Sequence, residues 1–233
     1  GKTAIGINRG ILNKKSEIKD VIKHRGTKLI GLYSVGDKDI SSLALNMAYM
    51  IKEDNENQSV VVVDLGFKFS DLGYFVAQDD NLKEMDTNNS YLTGYSMGTY
   101  KDDQIYVIAH DFLNDEYVLA NKKGIYINVV YSIIKHFDVI VLNIPYEVNK
   151  ETVDILNLCT DLVIHLGGNV SKNKEVYKKV IQQFIQIDKV IELDNTVRTI
   201  GRWQEDSNEY KEIKKVLENL KILGNKKYFK GFI

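Results

Sequence analysis

Gly36, Asp37, Lys38 and Asp39 lie between an apolar run that ends at Ser34 and a helical pattern that opens with Ile40, Ser41 and Ser42. A strand, a short glycine-bearing loop and a helix can hold phosphate, because successive backbone N–H groups and the helix N-terminus converge on anionic oxygens. The charges of this loop oppose that chemistry. Asp37 and Asp39 place like charge beside the oxygens, and a unit pair at 4 Å is worth ~4 kcal/mol at an effective dielectric of about 20. Micromolar binding corresponds to only ~8 kcal/mol. The plainer use of the same residues is a solvated loop, with Asp39 capping the helix and Ser41 and Ser42 filling its first turn.

Two more polar residues end apolar runs: Asp64 in "SVVVVDLG" and Asn143 in "DVIVLNI". The elements that must position them follow a simple alternation. Strand signals run over 28–34, 59–66, 104–110, 138–144, 161–168 and 189–195, with helical patterns over 40–53, 119–136, 151–159, 171–186 and 206–221. Several strands are apolar at consecutive positions, as expected when helices cover both faces of a parallel sheet. The order predicts a doubly wound α/β domain over 26–222, with the strand Lys28–Ser34 near the centre of a mainly parallel sheet. Ligands of such sheets sit beyond the carboxyl ends of the strands, where Ser34, Asp64 and Asn143 fall. Residues 67–103 read as a polar, mobile or partner-facing connection. Residues 1–25 read as an N-terminal extension or linker, with a strand "TAIGI" and then a helix, and 223–233 as a basic, aromatic tail.

The chain has 233 residues, 31 basic and 32 acidic, which gives a formal charge of -1 and argues against a surface devoted to nucleic acid. Its single cysteine, Cys159, can form no internal disulfide, which points to a reducing, cytoplasmic setting. The four histidines have no metal-ligand spacing. The lone tryptophan, Trp203, reads as a half-buried packing residue or an exposed contact.

"KLIGLYS…SSLALNMAYMI", "SVVVVDLGFKFSDLGYF" and "FDVIVLNIPYEVNKETVDILNLCTDLVIHL" resemble, in order and spacing, the ParA/MinD group of P-loop ATPases with the deviant Walker A motif. The phrase "FSDLGYF" is similar to the TadZ/CpaE branch associated with Flp pilus assembly. Laid on the family's phosphate loop, the chain offers Val35, Gly36, Asp37, Lys38, Asp39, Ile40, Ser41 and Ser42. The resemblance places Val35 at the signature lysine and Ile40 at the phosphate-gripping lysine. Asp64 keeps one of two strand-end carboxylates, with Gly66 at the other, and Asn143 replaces the aspartate that anchors magnesium. Asn195 falls near the family's adenine-reading position.

The resemblance thus implies a nucleotide site reduced to remnants, Gly36 to Ser42 with Asp64 and Asn143, and no catalytic residue. The expected function is a localisation or assembly scaffold for a pilus, secretion or conjugation machine, with no cofactor. The alternative is a nucleotide-switched ATPase that uses ATP and magnesium through displaced residues such as Lys38. Expected partners are a second copy, across the loop-bearing face and the tyrosine-rich segment 91–106, and protein components of the machine. The tail "LKILGNKKYFKGFI" allows peripheral membrane contact from the cytoplasmic side.

Overall fold

Strands that are apolar at every position need cover on both faces, and that requirement shapes the domain. The structure is a computed structural model. It describes residues 2–36, 40–66, 71–78, 83–84, 97–101, 104–110, 124–194 and 202–224. In chain order the elements are α1 (Lys2–Arg25), β1 (Lys28–Ser34), α2 (Ser41–Asp54), β2 (Val60–Asp64) and α3 (Asp71–Gln78). Next come β3 (Lys83–Glu84), β4 (Met97–Lys101), β5 (Tyr106–His110), α4 (Ile125–Ile133), β6 (Val139–Ile144) and α5 (Lys150–Leu158). The chain continues through β7 (Asp161–His165), α6 (Val170–Val176), β8 (Val190–Leu193) and α7 (Asn208–Asn219).

The sheet order is β3-β4-β5-β2-β6-β1-β7-β8. From β5 to β8 every pairing is parallel, with β1 between β6 and β7 as expected, and β4 and β3 add an antiparallel edge. Successive side chains of a strand point to opposite faces. Leu29 and Tyr33 therefore join α1, α4 and α5 in one core layer, whereas Ile30 and Leu32 join α2, α7 and Trp203 in the other. β2, β6 and β7 are buried at every residue. Among the described residues no helix is long and apolar enough to cross a membrane.

Several elements depart from expectation. "TAIGI" lies inside α1, not in a strand, because the local β preference of a few branched residues is weak against a helix with an apolar face. That face places Ile18 fully in the core, and Lys15 meets Asp154 of α5 at 2.7 Å. The connection 67–103 holds α3 and the antiparallel strands β3 and β4 among its described residues. β4 is five residues long with a glycine and no continuous apolar run, so "MGTYK" gives little strand signal. The helix expected over 171–186 changes winding, with a π-helical turn Tyr177–Ile181 and a 3-10 turn Gln182–Phe184. α4 begins at Ile125, and residues 119–123 of the longer helix expected there lie outside the described residues.

Gly31 shows how tightly β1 is held. A Cβ there would stand 2.6 Å from Leu162 Cδ2 and 2.7 Å from Cys159 Sγ, both in the core. Gly10, in α1, meets nothing within 4 Å. Urea denaturation should therefore show Gly31→Ala losing about 1–3 kcal/mol of stability, and Gly10→Ala gaining about 0.5–1 kcal/mol.

Candidate functional site

Ser34, at the carboxyl end of β1, is buried, and its Oγ lies 3.2 Å from Nδ1 of buried His165 at the end of β7. Val35 N–H donates to His165 O at 3.0 Å, so the chain leaves the sheet along β7. Gly36 then passes under α6, where a Cβ would sit 2.4 Å from Asn173 Nδ2. The Asn173 amide is buried and donates to Leu166 O at 3.0 Å and Gly167 O at 3.2 Å. The glycine of the loop thus serves a close approach between loop and helix. Asp37, Lys38 and Asp39 lie outside the described residues, as does Asn195.

Ile40 occupies the N-cap position of α2, without a side-chain cap, and is 3% exposed in the core layer with Leu43, Ala44 and Met47. The helix thus opens with Ile40 at its N-cap position and turned into the core, while the cap expected from Asp39 falls on a residue outside the described ones. Ser41 is buried, and its Oγ accepts from Leu72 N–H of α3 at 3.1 Å and from Asn143 Nδ2 of β6 at 3.2 Å. A hydroxyl has two acceptor lone pairs, and both are taken. Ser42 is half-buried, and its carbonyl accepts from Asn46 Nδ2 at 2.8 Å. Asn46 Oδ1 in turn accepts from Trp203 N–H at 2.8 Å, and Trp203 is buried deeper than its sequence context suggested.

Asp64 pairs with Asn143 across the β2–β6 ladder, which brings these two residues together as expected. Its carboxylate is buried, and Oδ1 accepts from Gly66 N–H at 2.8 Å. Two carboxylates that sequence reading missed stand close by. Burial, then the charge of Glu147, pushes Tyr33 up to about 12, and its hydroxyl donates to Tyr146 O at 3.2 Å. Tyr126 is pushed up too, by burial first and then by Glu147, Glu151 and Asp64. Glu151 Oε1 accepts from Ile125 N–H at 3.2 Å and so caps α4 from the first turn of α5. The sequence signal was "NKET", a helix start in which Asn149 Oδ1 accepts from Thr152 N–H at 2.9 Å. It located the helix but not the tyrosine its acid faces.

No protein-family model matches the sequence, and no curated protein matches it. Solved structures do. A ParA family ATPase from Chlorobium tepidum aligns with TM-score 0.55 at 17% identity, over 82% of this chain and 81% of that one. The cell division ATPase MinD of Pyrococcus furiosus aligns with TM-score 0.54 at 13% identity, over 83% of this chain and 98% of that one. The fold is that of the ParA/MinD-type P-loop ATPases. A plasmid partition protein from Borrelia burgdorferi, with TM-score 0.50 and 12% identity, covers 84% of this chain and 100% of its own. At these identities the likeness establishes architecture, and the chemistry of the loop has to be read from its residues.

The described part of the tyrosine-rich segment lies in β4 and at the start of β5, four and three ladder positions from β1, or about 19 and 14 Å at ~4.8 Å per strand. Exposed apolar side chains nearer the loop are Tyr146 and Val148, after β6, each 51% exposed.

Two outcomes follow. Ser41→Ala removes the acceptor shared by α3 and β6, so it should cost about 1–3 kcal/mol and speed amide exchange at Leu72. Tyr33 has its folded value raised above 10.0, so its contribution is intact below that pH and is lost as pH rises toward about 12. Stability should fall across that window, and less steeply in Tyr33→Phe.

Proposed function

We propose that this chain is a ParA/MinD-like protein that has given up nucleotide turnover and acts as a localisation or assembly scaffold. The observation that carries the reading is Ser41. In P-loop ATPases that hydroxyl and a strand-end aspartate hold magnesium. Here Ser41 Oγ accepts from Asn143 Nδ2 and Leu72 N–H, which makes it a structural tie. The gripping lysine's position is Ile40, turned into the apolar core. Asp64, Glu147 and Glu151 gather negative charge at the strand ends, which opposes phosphate binding. These residues do not fit a magnesium nucleotide held in the family's way.

The machine served is of the pilus (Flp/Tad), secretion or conjugation kind, a reading supported by "FSDLGYF". The scaffold works as a homodimer through the face that carries the loop, supported by exposed Tyr146 and Val148 and by the frequency of tyrosine in interfaces. It acts in the cytoplasm, with the basic, aromatic tail 223–233 giving peripheral contact with the membrane.

Two measurements test this. Purified protein with ATP and magnesium should release phosphate no faster than buffer. Turnover that disappears in Lys38→Ala would instead establish an ATPase with a displaced lysine. Sedimentation should show a concentration-dependent dimer that Asp39→Arg alters. A monomer at high concentration would remove self-association, and an unchanged dimer in Asp39→Arg would move the interface elsewhere.

A further inference from the structure

A cleft of about 500 Å³ opens between the second half of α2 and the segment 202–210. It runs along α2 from Asn46 to Glu53, five to twelve residues beyond Ser41, or about 8 to 18 Å along the helix at 1.5 Å per residue. Its aromatic lining is Tyr49, Trp203 and Tyr210, and its acidic lining is Glu53, Glu205 and Asp206. The lining has one basic residue, Arg202. That guanidinium stands 4.7 Å from the centre of the Tyr49 ring, pairs with Glu53 and donates to Gln104 Oε1 at 3.1 Å.

Arg202 already displays the chemistry that this surface favours. A flat cation lies over a ring face while a carboxylate holds its edge. Arg202 neutralises Glu53, but Glu205 and Asp206 have no ion pair among the described residues. Glu205, Asp206 and Tyr210 line the same cleft, and burial and then the charge of Glu205 raise Tyr210 while Arg202 lowers it. The remaining lining thus offers the residue types that hold Arg202, aromatic rings in Trp203 and Tyr210 and carboxylates in Glu205 and Asp206. The volume falls in the range of ligand sites, ~300–1,000 Å³, and exceeds what one side chain fills.

We propose that this cleft docks a basic peptide segment of a partner protein, an arginine side chain entering between Trp203 and Tyr210 and pairing with Glu205 and Asp206. The inference is independent of whether the phosphate loop holds nucleotide.

Trp203 is the chain's single tryptophan, so its fluorescence reports the site directly. The probes are a short peptide with two arginines between glycines, the same peptide with citrulline in place of arginine, and agmatine. The arginine peptide should change Trp203 emission saturably below about 1 mM, with binding weakened by salt. The double variant Glu205→Gln with Asp206→Asn, both exposed and outside the core, should weaken it about fivefold with unchanged thermal unfolding. An equal response to the citrulline peptide, or no saturable response to the arginine peptide, overturns the proposal. Agmatine binding as tightly as the peptide would overturn the peptide source and leave a site for a free small cation.

Discussion

Ser41 Oγ is where three elements of this domain meet. It joins the first turn of α2 to the backbone of α3 and to Asn143 at the end of β6, residues that are far apart in sequence. The bonds are buried, and loss of a buried acceptor leaves its donors unsatisfied at a cost above the bond's own worth. These bonds fix the helix start against the sheet. Ile40 reinforces this from the apolar side, packed beside Leu43 and Ala44. A lysine at that position would have to bring a charge out of this layer, which is expensive unless it is paired.

Electrostatics acts in the same direction. In a phosphate site, loop amides and the helix N-terminus need a cation to offset the crowding of anionic oxygens. The strand ends here gather carboxylates instead, Asp64, Glu147 and Glu151, whose charges are felt by Tyr126. The two tyrosine hydroxyls stay protonated in that surrounding, and Tyr33 uses its proton on the carbonyl of Tyr146. The carboxyl edge of the sheet thus joins the topology of the ParA/MinD-type fold to a group of acidic side chains. The exposed Tyr146 and Val148 lie on the same loop as Glu147, so apolar and acidic character share this face.

How much of this was legible follows from how local each signal is. β1, β2, β6 and β7 read directly, because strands covered on both faces are apolar at consecutive residues. The position of Ile40 read from its distance to "SSLALN", and the buried side chain agrees with an apolar residue there. The Ser41–Asn143 bond, the approach of Glu147 and Glu151 to Tyr126, and Asn173 pressing on Gly36 join residues from different helices and strands. No pattern within a single segment encodes them. α1 was missed in part because "TAIGI" is β-branched over a few residues, while the face that holds Ile18 takes in Ile11, Val21 and Ile22 further along the helix. β4 was missed because "MGTYK" is short and has no apolar run to stand out from a polar stretch.

The central proposal is that Ser41 serves as a structural tie in place of a magnesium ligand, and calorimetric titration of magnesium ATP into the purified protein tests it most directly. The account predicts no saturable heat up to about 1 mM nucleotide, with or without magnesium. Stoichiometric binding with a Kd near ~1 μM that requires magnesium would contradict it, because it would show that Ser41 exchanges its bonds to Leu72 and Asn143 for a cation.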